Sequence, residues 1–313
     1  MNIHITKTYN IGGKTGIRQN SLVNAGRSMG CKEMSLFKFP DGYDTDEQLH
    51  VRMDGIISSL CMGDIVIFQY PSGISVRYDR FLIEHLRRYA GVRLVICVQE
   101  VASEGVDSKY KIEEELALLN QADLLIMPSE EMHAFYQRNG LQEKPVMLQK
   151  WFDYMTDVML QKHEERRIYI LSEDIEPGKA MSQSNVEILP FDEYHVPEML
   201  LKMAEGGVGL IWNFDGEKED ILTSWGLMLG LFLTAGIPVI VQKGAPCEEY
   251  VEKHGVGFVA ESMEDVYRIC AALSDEDFDR YYGNVRKIQY LFTTGAYTKH
   301  LLQEILIDML ESL

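Results

Sequence analysis

Several short stretches of this 313-residue chain carry side chains suited to holding a polar ligand. Near the start, Tyr9-Asn10-Ile11-Gly12-Gly13-Lys14-Thr15 follows a short strand of alternating character, Met1 to Thr6. Glycines let a backbone approach a ligand closely, and Lys14 offers a cation to a phosphate or sugar oxygen. The plainer alternative is a tight strand-to-helix turn with a solvated lysine. Trp212-Asn213 closes another short strand, Gly209 to Trp212. Its indole is either a platform for a flat ring or part of a core. Lys243 follows the strand Pro238-Val239-Ile240-Val241 in a Lys-Gly-Ala-Pro loop, with the paired carboxylates Glu248 and Glu249 just beyond. Gln99-Glu100 follows the apolar run Arg93 to Val98 and places a carboxylate at a strand end. Cys31, Cys61, Cys97, Cys247 and Cys270 are scattered, with no C-x-x-C pair, so neither a disulfide framework nor a metal site is expected. Cys97, inside an apolar run, reads as a buried small hydrophobe.

The elements that position these residues alternate between apolar strands and helices. After the first strand, Gly16 to Met29 reads as a helix and Lys32 to Phe39 as a strand. Asp44 opens a helix towards Ser59, with Glu47 three residues on as a variant capping pair. Strands follow at 64–69, 93–98, 123–127 and 146–149, and helices at 80–89, 108–120 and 130–139, the last capped by Ser129 and stopped by Gly140. Trp151 to Glu165 reads as a linker. The second half repeats the rhythm: strands at 167–171, 186–189, 209–212, 238–241 and 258–260, a polar loop at 213–220, and helices at 196–204, 224–235, 247–253, 263–273 and 275–291. A final helix, 298–313, aligns Leu301, Leu302, Ile305, Leu306, Met309 and Leu310 on one stripe. That stripe packs across the two domains or forms a subunit interface. Short apolar strands alternating with helices imply parallel sheets covered on both faces. The expected division is an N-terminal Rossmann-like domain, 1–154, completed by the last helix, and a C-terminal one, 155–297.

Charge is uneven. The formal net charge is −18; residues 1–154 carry −3 of it and residues 155–313 carry −15. Phosphate neutralisation needs a basic surface, so nucleic-acid binding is disfavoured. No stretch approaches the roughly 20 apolar residues of a membrane helix. The first residues lack the pattern of a signal peptide, which implies a cytoplasmic protein.

Three stretches carry a family resemblance. They are Asn120-Gln121-Ala122-Asp123-Leu124-Leu125-Ile126-Met127-Pro128-Ser129, Leu233-Thr234-Ala235-Gly236-Ile237-Pro238-Val239-Ile240-Val241, and His254-Gly255-Val256-Gly257-Phe258-Val259. With Trp151-Phe152-Asp153-Tyr154 and Gly295-Ala296-Tyr297-Thr298-Lys299, they make the whole chain resemble the GT-B glycosyltransferases of the glucosyltransferase 3-like and galactofuranosyltransferase-like kind, which extend adhesin glycans in Gram-positive bacteria. The resemblance implies an α/β GT-B fold, two Rossmann-like domains with parallel sheets facing a central cleft. It implies transfer of a hexose from a UDP-sugar to a glycan or glycoprotein acceptor, without metal or tightly bound cofactor. Gly12, Gly13, Lys14 and Thr15 would then face the acceptor. Trp212, Asn213, Lys243, Glu248 and Glu249 would face the donor, with Glu249, or its neighbour Glu248, accepting hydrogen bonds from the ribose. Trp151, Asp153 and Tyr154 would lie in the linker. The family habit also suggests a homo-oligomer.

The chain departs from that pattern where the diphosphate should sit. A departing nucleoside diphosphate gains negative charge that cations or a helix N-terminus must stabilise. Met228 stands where the family places a lysine, and Leu171-Ser172-Glu173-Asp174 replaces a segment that should carry a cation. Lys179, Lys218 and Lys243 are the candidate substitutes. Glu100 stands in place of the family's His-Asp after the fourth strand and would serve as general base for an inverting step. Two main readings remain. One is an active, metal-independent transferase. The other is a non-catalytic relative that binds a glycan or glycoprotein acceptor or stabilises an active glycosyltransferase. A third, a nucleotide-sugar epimerase, is disfavoured because no G-x-G-x-x-G follows the first strand.

Overall fold

The computed structural model describes residues 1–103, 111–157, 167–172, 185–191, 193–213 and 225–311. Two compact α/β units emerge: Met1–Ile11, Arg18–Lys150 and Thr298–Leu313 form the first, and Gly12–Ile17 with Trp151–Tyr297 the second.

The first unit is built on six parallel strands: β1 (Ile3–Tyr9), β2 (Lys32–Phe37), β3 (Ile65–Tyr70), β4 (Arg93–Val98), β5 (Leu124–Met127) and β6 (Val146–Leu148). Their spatial order is β2-β1-β3-β4-β5-β6. β3 is buried throughout, as a central strand covered on both faces must be, whereas the edge strand β2 alternates in burial. The helices are α1 (Gly13–Ser28), α2 (Asp46–Ile57), α3 (Val76–Arg88), α4 (Ile112–Leu119) and α5 (Glu130–Arg138). The start of α2 corrects the sequence reading. Its cap is Thr45, whose hydroxyl accepts from the Gln48 amide while Gln48 reaches back to Thr45. Thr45-x-x-Gln48 satisfies two orphan amides reciprocally, whereas Asp44 instead pairs with Arg52 at 2.9 Å. Likewise α3 begins four residues before the expected Arg80, because Ser75 caps it by accepting from the Tyr78 amide. Ser129 caps α5 as expected, accepting from Met132.

The second unit has five parallel strands: β7 (Ile168–Ser172), β8 (Val186–Pro190), β9 (Val208–Ile211), β10 (Val239–Gln242) and β11 (Gly257–Ala260), ordered β11-β10-β9-β7-β8. Its helices are α6 (Val196–Met203), α7 (Trp225–Ala235), α8 (Glu248–His254), α9 (Met263–Ala272) and α10 (Asp275–Thr293). α7 is apolar almost all round, so it lies buried, packed on α6 and α10. The segment read as a linker is packed along residues 151–157. Phe152 and Asp153 are buried, and the amides of Tyr154 and Thr156 donate to the carbonyls of Phe292 and Thr293, both at 3.1 Å. The last helix, α11 (Ala296–Glu311), puts Leu301, Leu302, Ile305 and Met309 into the first unit's core beside Ile5, Ile65, Val95 and Ile126. Each fully buried side chain of this kind contributes about 1.5–3 kcal/mol. Leu310, on the expected stripe, is exposed instead.

Candidate functional site

In an open parallel sheet, ligands bind outside the carboxyl ends of the strands, where neighbouring connections diverge. In the first sheet that point lies between β1 and β3, since the chain leaves β1 towards β2 on one side and later returns to β3 on the other. The stretch Gly12-Gly13-Lys14-Thr15 begins three residues after β1 ends and therefore sits at this point. It is less of a loop than the sequence suggested. Gly13, at φ +67°, already opens α1, so Lys14 and Thr15 occupy its first turn. The left-handed backbone at Gly13 explains the glycine, since a Cβ there is strained. Lys14 Nζ lies 5.9 Å above the Phe191 ring, which follows β8.

The first unit buries a polar network. Arg18 is 1% exposed and donates to the Gln99 carbonyl at 2.8 Å. The Gln99 side chain donates to Gln69 at 3.0 Å, and Gln69 donates to the Thr6 carbonyl at 2.6 Å. Gln19 accepts from the Thr8 amide at 2.9 Å. These residues tie the carboxyl ends of β1, β3 and β4 to α1, and sequence reading missed all but Gln99. The available signal was a run of amide side chains at strand ends, which apolar periodicity does not score. Glu100 follows as a half-buried carboxylate just past β4. The next residues are held by Glu115 of α4, whose buried carboxylate accepts the Ala102 and Ser103 amides at 2.9 and 3.1 Å and the Tyr136 hydroxyl at 2.7 Å. Burial pushes the Glu115 carboxyl above its ordinary range, against those hydrogen bonds.

In the second sheet the connections diverge between β7 and β9. Trp212 and Asn213 leave β9 there. Trp212 is half-buried against the core, and the Asn213 amide donates to Gln242 Oε1 at 3.1 Å, tying the ends of β9 and β10. Gln242 was not singled out in the sequence. Past β10, the Glu248 carboxylate accepts the Gly244 amide at 2.5 Å and closes the turn into α8. Glu249, beside it, is exposed. Lys243 is exposed and bonded to Glu261 at 2.5 Å; that hydrogen bond and the carboxylate's charge raise its pKa. The side chain of Met228 is half-buried on α7 and packs on the core, at the position where the resemblance implies a cation. Glu173, Asp174, Lys179 and Lys218 lie outside the described residues.

A cluster of rings backs α8. Tyr250 of α8 lies 4.5 Å from Trp151 and 4.3 Å from His254, and its hydroxyl is 2.8 Å from that of Tyr297. Thus Trp151, Asp153 and Tyr154 are part of the second unit's packing, and Trp151 braces the helix that carries Glu249. Among the described residues no helix is long and apolar enough to cross a membrane.

Comparison with known proteins fits this architecture. Residues 2–151 match the family model described as glucosyltransferase 3-like, N-terminal domain, and residues 157–305 match the glucosyltransferase 3-like, C-terminal domain. The chain is 27% identical over 304 residues to glucosyltransferase 3 of Streptococcus parasanguinis, across 91% of this chain and 92% of that one. It is 27% identical over 334 residues to glucosyltransferase 3 of Streptococcus gordonii, across 99% and 100%. Among solved structures, sucrose-phosphate synthase from Thermosynechococcus elongatus superposes with a TM-score of 0.65 at 11% identity, over all of both chains. The Anabaena protein HepE, solved with UDP-glucose, superposes with a TM-score of 0.63 at 10% identity, over 98% and 100%. At such identities the likeness shows the fold, two parallel α/β domains of the GT-B kind.

Proposed function

The chain belongs to the glucosyltransferase 3-like family, and from that premise we propose that it transfers a hexose from a UDP-sugar to a glycan or glycoprotein acceptor. The observation that carries this reading is positional. Both groups of candidate residues fall outside the carboxyl ends of their sheets, at the divergence point of the first and around that of the second. In the reaction the bond from the anomeric carbon to the diphosphate oxygen breaks, and a bond to the acceptor hydroxyl oxygen forms. The hydroxyl proton passes to a base, and the nucleoside diphosphate leaves with its added negative charge. We assign Glu100 as that base for an inverting transfer, and Gly12, Gly13, Lys14 and Thr15 as the acceptor-side turn of an N-terminal domain drawn at 1–154 and completed by 298–313, although Gly12–Ile17 and Trp151–Tyr154 pack with the second unit. Trp212, Asn213, Glu249 and Lys243 hold the donor on a C-terminal domain, 155–297, and Glu248 shapes the turn beneath them. Glu249, exposed and without a hydrogen-bond partner among the described residues, is the better ribose acceptor of the adjacent pair. The proposed setting is the cytoplasm and the proposed state a homo-oligomer, the second of which light scattering of the purified chain tests directly.

One observation favours a second reading, a relative that binds the acceptor or an active transferase without turning over donor. Met228 is packed and Lys243 is already bonded to Glu261, so neither of these two positions offers an unengaged cation to a diphosphate. An assay of UDP release from several UDP-hexoses, with and without glycan acceptors, separates the two. Acceptor-dependent release supports the transferase. Its absence across the panel, with acceptor still bound, supports the second reading.

A further inference from the structure

Away from both groups of candidate residues, α2 and α3 of the first unit border a cavity of about 510 Å³, whose lining includes His50, Asp54, Ile57, His85 and Arg88. His50 Nδ1 lies 3.2 Å from His85 Nε2. His85 Nδ1 is 2.7 Å from the Phe81 carbonyl, which can only accept, so the proton sits on Nδ1 and the Nε2 lone pair points at the His50 ring. Asp54 stands one helical turn after His50 on the same face of α2, and its Oδ1 is 3.8 Å from His85 Nε2.

We propose that His50 and His85, completed by Asp54, form a seat for a zinc-class divalent cation that ties α2 to α3. Two ligands on a tetrahedral zinc at ordinary bond lengths stand about 3.3–3.4 Å apart, and the two imidazole nitrogens already have nearly that separation. A carbonyl-anchored imidazole with a lone pair on its other nitrogen is the arrangement metal-binding histidines use; here that lone pair faces His50 Nδ1, and the cation takes the place of the contact between the two rings. Both helices end beside the cavity, and their C-terminal carbonyls favour positive charge. Arg88 lines the same cavity and opposes a cation, but its guanidinium lies 3.9 Å from the Glu84 carboxylate. No three such ligands are already converged among the described residues. The site therefore closes only when Asp54 turns towards the two imidazoles, and with 72% of its side chain exposed that motion meets little resistance. His50 and His85 are 35 residues apart, a spacing no short metal motif uses, so only the packing of α2 on α3 brings them together.

The test uses the untagged full chain with Cys61→Ser, because Cys61 is an exposed thiol and a rival zinc ligand. Calorimetric titration with zinc chloride in a non-coordinating buffer should show one saturable micromolar site, and zinc should raise the thermal midpoint. His50→Ala should weaken binding about 100-fold and Asp54→Asn about tenfold. Both residues are at least partly exposed, so the test survives if His85→Ala fails to fold. Absence of saturable binding below the millimolar range, or undiminished binding by His50→Ala, would overturn the proposal.

Discussion

The carbonyl oxygen of Phe152 occupies the space a side chain at residue 230 would need: a Cβ built on Gly230 would stand 1.8 Å from it. Gly230 lies in the middle of α7, so this glycine is a contact requirement inside a helix that otherwise prefers larger residues. The chain entering the second unit is thereby laid directly on its most buried helix.

Gly230→Ala should therefore destabilise the protein by about 3 kcal/mol in denaturant unfolding, because backbone must shift to admit the methyl group. Gly283→Ala in α10, where an added Cβ meets nothing within 4 Å, should instead gain about 0.5–1 kcal/mol. Equal effects for the two substitutions would contradict the packing.

Acid should attack the first unit through Asp64. Burial pushes this carboxyl up, but the amides of Asn2 and Cys61 at 2.6 and 3.1 Å and His4 at 3.0 Å outweigh it and bring its pKa to about 2. A carboxyl lowered on folding contributes stability that is fully present above about pH 4 and is lost as pH falls towards 2. Asp64→Asn should cost about 2 kcal/mol at neutral pH and flatten the stability curve between pH 4 and 2.

At the proposed donor side, Met228→Lys should tighten UDP binding about tenfold if only that cation is missing, since a lysine stem can pack where the methionine does while its head reaches out. An unchanged affinity, measured by titration, would show that the pocket around α7 has been remodelled more deeply.

The two glutamates of α8 should separate by readout. Glu249→Gln should weaken UDP binding about tenfold without moving the thermal midpoint. Glu248→Gln should lower the midpoint slightly through the Gly244 turn. At the acceptor side, Glu100→Gln should lower kcat by about 100-fold or more, with donor KM little changed.

Much of the fold was legible because it rests on local pattern. The runs 65–70, 93–98 and 124–127 are apolar apart from Gln69 and Arg93 and became central strands. Errors arose where two local signals competed: Asp44 with Glu47 and Thr45 with Gln48 overlap, and only the observed hydrogen bonds choose between them. The places of the candidate residues were legible, since the glycine turn after β1 and the carboxylate pair after β10 are marked in the chain. What supports them was not. Arg18 on Gln99, Tyr250 on Tyr297 and Gly230 under Phe152 join residues 81, 47 and 78 positions apart, so no periodicity announces them.

The most direct test is calorimetric titration of the intact chain with UDP and UDP-glucose. If the second sheet holds a nucleotide-sugar donor, both should bind at one site per chain with micromolar affinity, weakened by Glu249→Gln. Heat traces showing no saturation up to the millimolar range, for these and other UDP-hexoses, would contradict the account.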